Sequence, residues 1–280
     1  KSLSIIKKTN CIIMTILDEI IAYKKKEVEE RASTHPIKLL EQSLYFQSEC
    51  VSLKHYIQRE DKSGIIAEFK RKSPSKGMIN EFANVEKISI GYMQGGASAL
   101  SVLTDTKFFG GKNEDLTTAR KFNFCPILRK DFTVSEYQII ESKSIGADAI
   151  LLIASVLTKE EIKRFTSVAH QLGLEVLLEV HTEEELEKYT PEISLVGINN
   201  RNLKTFDVDF ENSIRLAQLL PSNTVKIAES GISDYKNIIE LKKHGFNGFL
   251  IGENFMKSAS PELECKKFIQ HLNLEQNVIA

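Results

Sequence analysis

The sequence predicts an α/β fold, a single (β/α)8 TIM barrel with an N-terminal helical extension. Three observations carry this prediction. After residue 60, eight short apolar runs recur, rich in Ile, Val and Leu and mostly continuous; strands buried on both faces of a parallel sheet read this way. The longer stretches between them carry helix start and stop signals. The repeating part occupies about 215 residues, the size of such a barrel.

The elements follow in order. Residues 1–13 are mildly basic and lack an apolar region followed by a small-residue cleavage site. They are expected to be a disordered extension, with Met14 reading as a natural start. Helices are expected over 17–31 and 37–44; neither fits the strand–helix count, so 14–60 is expected to pack on the barrel as a helical segment. The strands are expected at Ile65–Phe69, Ala99–Leu103, 126–128, Ala149–Ile153, Glu175–Val180, 195–198, 225–228 and Gly248–Ile251. Thr133 with Glu136, Thr158 with Glu161 and Thr182 with Glu185 fit the capping box, in which two side chains satisfy each other's unpaired N–H groups. Ser260-Pro261 fits a helix start with proline at its first position. Gly146, Gly173 and Gly245 fall where helices should stop. The barrel is expected over 61–280, the whole chain forming one domain. The glycine groups Gly91/Gly95/Gly96 and Gly110-Gly111 match neither a dinucleotide fingerprint nor a P-loop.

Composition excludes other classes. The 280 residues include 37 Lys and Arg against 38 Asp and Glu, so no whole-chain field attracts nucleic acid or an anionic membrane. No stretch approaches the ~20 apolar residues of a membrane span. The four cysteines (Cys11, Cys50, Cys125, Cys265) form no CxxC pair and the six histidines no HExxH, so no metal is expected. Free cysteines fit a reducing compartment, which points to the cytoplasm.

Barrel active sites lie at the C-terminal ends of the strands. The first run ends in Glu68 and Lys70, two apart and therefore facing the same side, the lumen. Thr104-Asp105 and Arg129-Lys130-Asp131 follow the second and third runs; Glu179 and Asn199 stand late on the fifth and sixth. At least two lysines and three carboxylates thus converge on one pocket, which packing alone disfavours because buried unpaired charge is costly. Lysines and glutamates brought together have pKa values pushed apart, which suits acid–base work near neutrality. Glu229-Ser230-Gly231 and Gly252-Glu253 follow the last two strands, where barrels bind phosphate through backbone N–H groups; Glu253 is expected to act through its backbone. The stretch from Lys70 to Lys76 carries four basic residues and reads as an anion-binding lid, with no helix until about Asn84.

These residues resemble the indole-3-glycerol phosphate synthase family. The resemblance is carried by Ile66-Ala67-Glu68-Phe69-Lys70-Arg71-Lys72-Ser73-Pro74-Ser75, by Ser101-Val102-Leu103-Thr104-Asp105 with Phe108-Phe109-Gly110-Gly111, and by Pro126-Ile127-Leu128-Arg129-Lys130-Asp131-Phe132. Further matches are Leu177-Leu178-Glu179-Val180, Gly197-Ile198-Asn199-Asn200-Arg201-Asn202-Leu203, Ala228-Glu229-Ser230-Gly231-Ile232 and Leu250-Ile251-Gly252-Glu253. It runs unbroken from about residue 15 to about residue 269. It implies a lyase of tryptophan biosynthesis without metal or organic cofactor, acting on 1-(2-carboxyphenylamino)-1-deoxyribulose 5-phosphate. Ring closure, decarboxylation and dehydration yield indole-3-glycerol phosphate.

On this resemblance Lys130 is the first choice of general acid, with Glu179 its proton-handling partner. Lys70 holds an anionic group or shares the acid role. Glu68 is a base or orients Lys70, while Asn199 and Glu229 orient the ribulose hydroxyls and the lysines. Ser73, Arg201, Ser230, Gly231 and Gly252 take the carboxylate and phosphate ends, and Phe132 packs on the aminobenzoate ring. The alternatives are phosphoribosylanthranilate isomerase, which works with a cysteine and an aspartate whereas the first strand here ends in Glu68-Phe69-Lys70 without a cysteine, a non-catalytic metabolite-binding barrel, and a Schiff-base aldolase using a strand-end lysine. The chain contains no tryptophan, so an indole product is visible by fluorescence.

Overall fold

A computed structural model describes residues 15–201 and 207–279. The expectation for residues 1–13 and the matches at Asn202 and Leu203 lie outside the described residues.

Eight parallel strands close into a barrel in sequence order, the first (Ile65–Phe69) pairing with both the second (Ala99–Leu103) and the eighth (Gly248–Ile251). The others are Ile127–Lys130, Ala149–Ile153, Glu175–Val180, Leu195–Asn199 and Val225–Glu229. Three of these extend beyond the apolar runs, to Lys130, Asn199 and Glu229. The ladder follows the backbone and admits charged side chains that a hydrophobicity reading stops at.

Strand parity divides the core in two. Ile65, Ala67, Phe69, Val102, Ile127, Leu178 and Ile198 point outward beneath the helices. Ile66, Leu128, Leu151, Leu177, Leu195, Ile227 and Leu250 fill the lumen. A helix that hydrophobic patterning missed, Leu53–Gln58, inserts Leu53 and Ile57 into the lumen cluster at the opposite end from the site. At six residues it is too short to show a helical period. The lumen is thus plugged below and open above.

The N-terminal helix spans Ile16–Thr34, with a capping box between Thr15 and Asp18. The second expected helix is shorter than 37–44: only Ile37–Leu40 is helical, followed by turns. Thr158 and Glu161 form the full capping box. Thr182 accepts from the Glu185 N–H, but the Glu185 carboxylate turns back to the N–H of His181, so that box is half formed. Thr133 does not cap; Ser135 does, accepting from Tyr137 N–H at the head of Glu136–Ser144. Pro261 opens the last helix. Gly146, Gly173 and Gly245 all have positive φ just past helix ends, where a side chain would be strained.

Candidate active site

The upper mouth of the barrel is a cavity of about 390 Å³. Parity brings Glu68, Lys130, Glu179, Asn199 and Glu229 into it, each on the inward phase of its strand, with Lys70 one residue past the first strand in the same phase. All thirteen residues singled out in the sequence line this one cavity: those six together with Ser73, Phe132, Arg201, Ser230, Gly231, Gly252 and Glu253.

Lys130 is the hub. Its Nζ stands 3.1 Å from Glu179 Oε2 and 3.3 Å from Glu229 Oε2. Glu179 Oε1 accepts from Asn199 Nδ2 at 3.1 Å. On the other wall Lys70 Nζ donates to Glu68 Oε1 at 2.8 Å, and Ser101 Oγ donates to Glu68 Oε2 at 3.3 Å. Burial alone would discharge Lys130, but Glu179, Glu229 and Glu68 outweigh it and hold the ammonium above its ordinary range. For Glu179 burial is likewise outweighed, by Lys130 and His181, and the carboxylate stays ionised well below its usual range. Glu229 goes the other way: burial, joined by the negative charge of Glu179 and Glu68, pushes it up to about 7 against the pull of Lys130. Two carboxylates on one lysine are thereby set to different protonation states near neutrality, the arrangement acid–base catalysis requires.

Beyond the seventh strand the backbone turns sharply. Ser230 has φ +68°, the only non-glycine residue with positive φ among the described residues, and Gly231 follows at +74°. Asn200 holds this turn, its Nδ2 donating to Ser230 O at 2.8 Å and its N–H to Glu229 O at 2.8 Å. A Cβ at Gly231 would collide with Val208. At Gly252 a Cβ would stand 2.5 Å from Glu68 Oε1, so that glycine makes room for Glu68 as well as leaving its backbone open. The Glu253 side chain faces Arg201 Nη2 at 3.4 Å and Lys76 Nζ at 3.9 Å. Of the four basic residues in the loop after the first strand, only Lys70 lines the cavity. Arg71 is committed to Asp115 at 2.5 Å and Lys72 to the carbonyl of Lys107. The loop lines the cavity mainly with Ser73, Pro74 and Ser75, after folding into a short hairpin, Lys72–Ser73 against Gly77–Met78.

The apolar wall combines Leu103, Leu151, Ile153, Phe109 and Phe132 with Ile16, Leu17 and Ile20 of the N-terminal helix. Phe109 and Phe132 pack with ring centroids 5.9 Å apart. One end of the cavity is therefore flat and greasy and the other backbone-rich and polar, with charged groups between.

The profile of the family Indole-3-glycerol phosphate synthase matches residues 17–268. The chain belongs to the indole-3-glycerol phosphate synthase family. It is 49% identical over 255 residues to the Indole-3-glycerol phosphate synthase of Bacteroides thetaiotaomicron, covering 91% of this chain and 98% of that protein. It is 43% identical over 246 residues to that of Campylobacter fetus, covering 88% and 95%. Among solved structures, a tryptophan synthase complex from Pyrococcus furiosus superposes with a TM-score of 0.56 at 16% identity, covering 76% of this chain and 98% of that one. That likeness speaks for the barrel alone.

In this indole-3-glycerol phosphate synthase family member, none of Cys50, Cys125 and Cys265 lines the cavity, so nothing among them supplies the cysteine of the isomerase alternative. Thr104, Asp105 and Arg129, though at strand ends, lie away from the cavity; with Asp131, which reaches its edge, they form an ionic cluster under the N-terminal helix. Several residues of the site escaped the sequence reading. Gly197 leaves room for the Glu229 carboxylate on the neighbouring strand; a glycine inside a strand was the available signal. His181 lies two residues beyond Glu179, and the parity argument used for Glu68 and Lys70 would have found it. The contribution of Ile16, Leu17 and Ile20 left no local trace.

Proposed function

We propose that this cavity closes the indole ring of 1-(2-carboxyphenylamino)-1-deoxyribulose 5-phosphate, with Lys130 as general acid. By family the chain is a carbon–carbon lyase of tryptophan biosynthesis, an indole-3-glycerol phosphate synthase. The ring carbon bearing the carboxylate attacks the ribulose carbonyl. The carbonyl oxygen gains negative charge and takes the proton of Lys130, which its carboxylate neighbours keep charged until then. Carbon dioxide then leaves, and the electrons of the broken bond restore the aromatic ring. Protonation of the new hydroxyl lets it depart as water, and loss of a carbon-bound proton completes the double bond.

Glu179 passes protons to and from Lys130, which its oxygen faces at 3.1 Å. Glu229, poised near neutrality, orients Lys130 and the ribulose hydroxyls with Asn199. Lys70, held by Glu68, binds the substrate carboxylate and shares the acid role. Phe132 and the N-terminal helix take the aminobenzoate ring. Ser230, Gly231 and Gly252 offer backbone N–H groups to the phosphate, with Ser73 and Arg201 flanking. Glu253 stays tied to Arg201 and contributes its backbone. The N-terminal helix belongs to the same domain as the barrel, since it walls the cavity. The substrate is a small phosphorylated molecule, and this reading places the protein in the cytoplasm. Among the described residues no helix is long and apolar enough to cross a membrane.

The observation that carries the reading is the position of Lys130 between two carboxylates inside this cavity. The test is incubation of the purified chain with the substrate while indole fluorescence is followed; the chain has no tryptophan to obscure it. Folded protein that generates no indole signal sinks the reading.

A further inference from the structure

His181 stands where a group acting on Glu179 should stand. Its side chain is 10% exposed, and its Nε2 lies 3.4 Å from Glu179 Oε1. Among the described residues Nε2 makes no hydrogen bond, so its approach to Glu179 is an ion pair alone. The opposite face of the ring is fixed by Glu185, whose Oε2 lies 3.4 Å from Nδ1 and accepts the backbone N–H of His181 at 2.7 Å. The backbone carbonyl of His181 takes Asn212 Nδ2 at 3.3 Å. The imidazole therefore bridges two carboxylates, one of which is otherwise committed to the reaction.

The division of the Glu179 oxygens gives the bridge its purpose. Oε1 faces Asn199 and His181; Oε2 faces Lys130. We propose that His181 is a positioning residue for the ring-closure chemistry: by clamping Oε1 of Glu179 it keeps Oε2 aimed at Lys130. This inference rests on the proton-handling reading of Glu179 given above. The charged groups facing the ring are Glu179 on its own strand, Glu185 on the following helix and Glu229 on the seventh strand, with Lys130 behind Glu179. Burial opposes a charge on the ring, but the bond to Glu185 and the three carboxylates prevail and raise its pKa above the ordinary imidazole value. The clamp is thus cationic in mildly acidic solution and weakens as pH rises through the raised pKa.

Steady-state kinetics of His181→Gln and His181→Phe test this against pH. A misaimed proton carrier costs about tenfold to a hundredfold. That loss is expected in kcat of His181→Phe, with KM within about threefold of wild type. His181→Gln, which keeps a neutral donor, should recover part of it and lose the step in kcat that wild type shows as the imidazole deprotonates. His181→Phe at wild-type kcat with an unchanged pH profile overturns the proposal. Nitrogen-15 NMR titration of His181 gives a second readout independent of turnover and of whether His181→Phe folds. The ring pKa should fall in Glu179→Gln; a pKa that stays put overturns the clamp. A wild-type chain that fails to make indole while its His181 still senses Glu179 removes the reaction assignment and leaves the clamp standing.

Discussion

Lys130 ends the third strand and Asp131 follows it, and each is the centre of a buried charge cluster. Lys130 points inward among Glu179, Glu229 and Glu68. Asp131 joins a cluster beneath the N-terminal helix, where Lys24 Nζ lies 2.9 Å from both Asp105 and Asp131 and 2.6 Å from Glu27. Arg129 adds contacts to Glu141 at 2.6 Å and Asp131 at 3.3 Å, and Thr104 donates to Asp131 at 2.6 Å. Lys24 has no exposed side-chain surface at all. In the second cluster the charges answer one another, and Asp131 is held down to about 2 because Lys24 and Arg129 outweigh its burial. In the first, one carboxylate is left near neutrality and the group borders a cavity. A cluster whose charges are matched internally holds the fold together, even where Asp131 touches the cavity edge, whereas one left with a carboxylate near neutrality on the cavity is matched to a ligand.

The largest expected effect separates them by activity. Lys130→Met should lower kcat by about 10³, within the range for a lost general acid, while binding and folding persist; near-wild-type turnover takes Lys130 out of the mechanism. Lys24→Met should do the reverse. It strips a buried cation from Asp105 and Asp131 and should cost about 3 kcal/mol of stability, read by urea denaturation. If Lys130→Met loses more stability than Lys24→Met, the contrast between the clusters fails.

Acidity sharpens the same contrast with opposite slopes. Glu229 binds its proton more tightly folded than unfolded. Its contribution to stability is full below about 4.5 and is lost as pH rises through about 7, by at most about 1.4 kcal/mol per pH unit. Glu229→Gln should therefore gain on wild type as pH rises across that window. Asp131 is the mirror case: its contribution is present above its unfolded value of 3.8 and is lost as pH falls through about 2. The deficit of Asp131→Asn should be full at neutrality and shrink in acid. Unfolding free energies that differ from wild type by a constant amount across pH contradict both. The smallest effect concerns the helix that carries Glu141. Ser135→Ala should cost about 1 kcal/mol and Thr133→Ala less, since only Ser135 caps that helix; the opposite order in melting temperature would reassign the cap.

Much of this was legible in the sequence, for physical reasons. Strands buried on both faces leave continuous apolar runs, and an alternation of two puts Glu68 and Lys70 on one wall. The closed cluster was not legible. Lys24 sits in a run of three lysines on a helix with no sharp apolar stripe, and only tertiary contact selects it for burial. Thr133 misled because a capping box needs its first residue immediately before the helix, and this helix begins at Glu136, which makes Ser135 the residue in that place. Ser230 gave no sign of its positive φ, because that turn is held by Asn200 from the adjacent strand's end.

The barrel closes where Ile65 meets Phe249, a pairing between nearly the first and nearly the last parts of the repeating chain. A ribosome makes these in order, so the first strand waits, one edge unpaired, while seven more are synthesised. Glu68 faces no Glu229 during that interval, and Lys24 is made long before Asp131 exists to receive it. The candidate site is therefore among the last things to come into being. An interrupted chain is an open sheet with charges aimed at absent partners, a candidate for aggregation and not a slower enzyme.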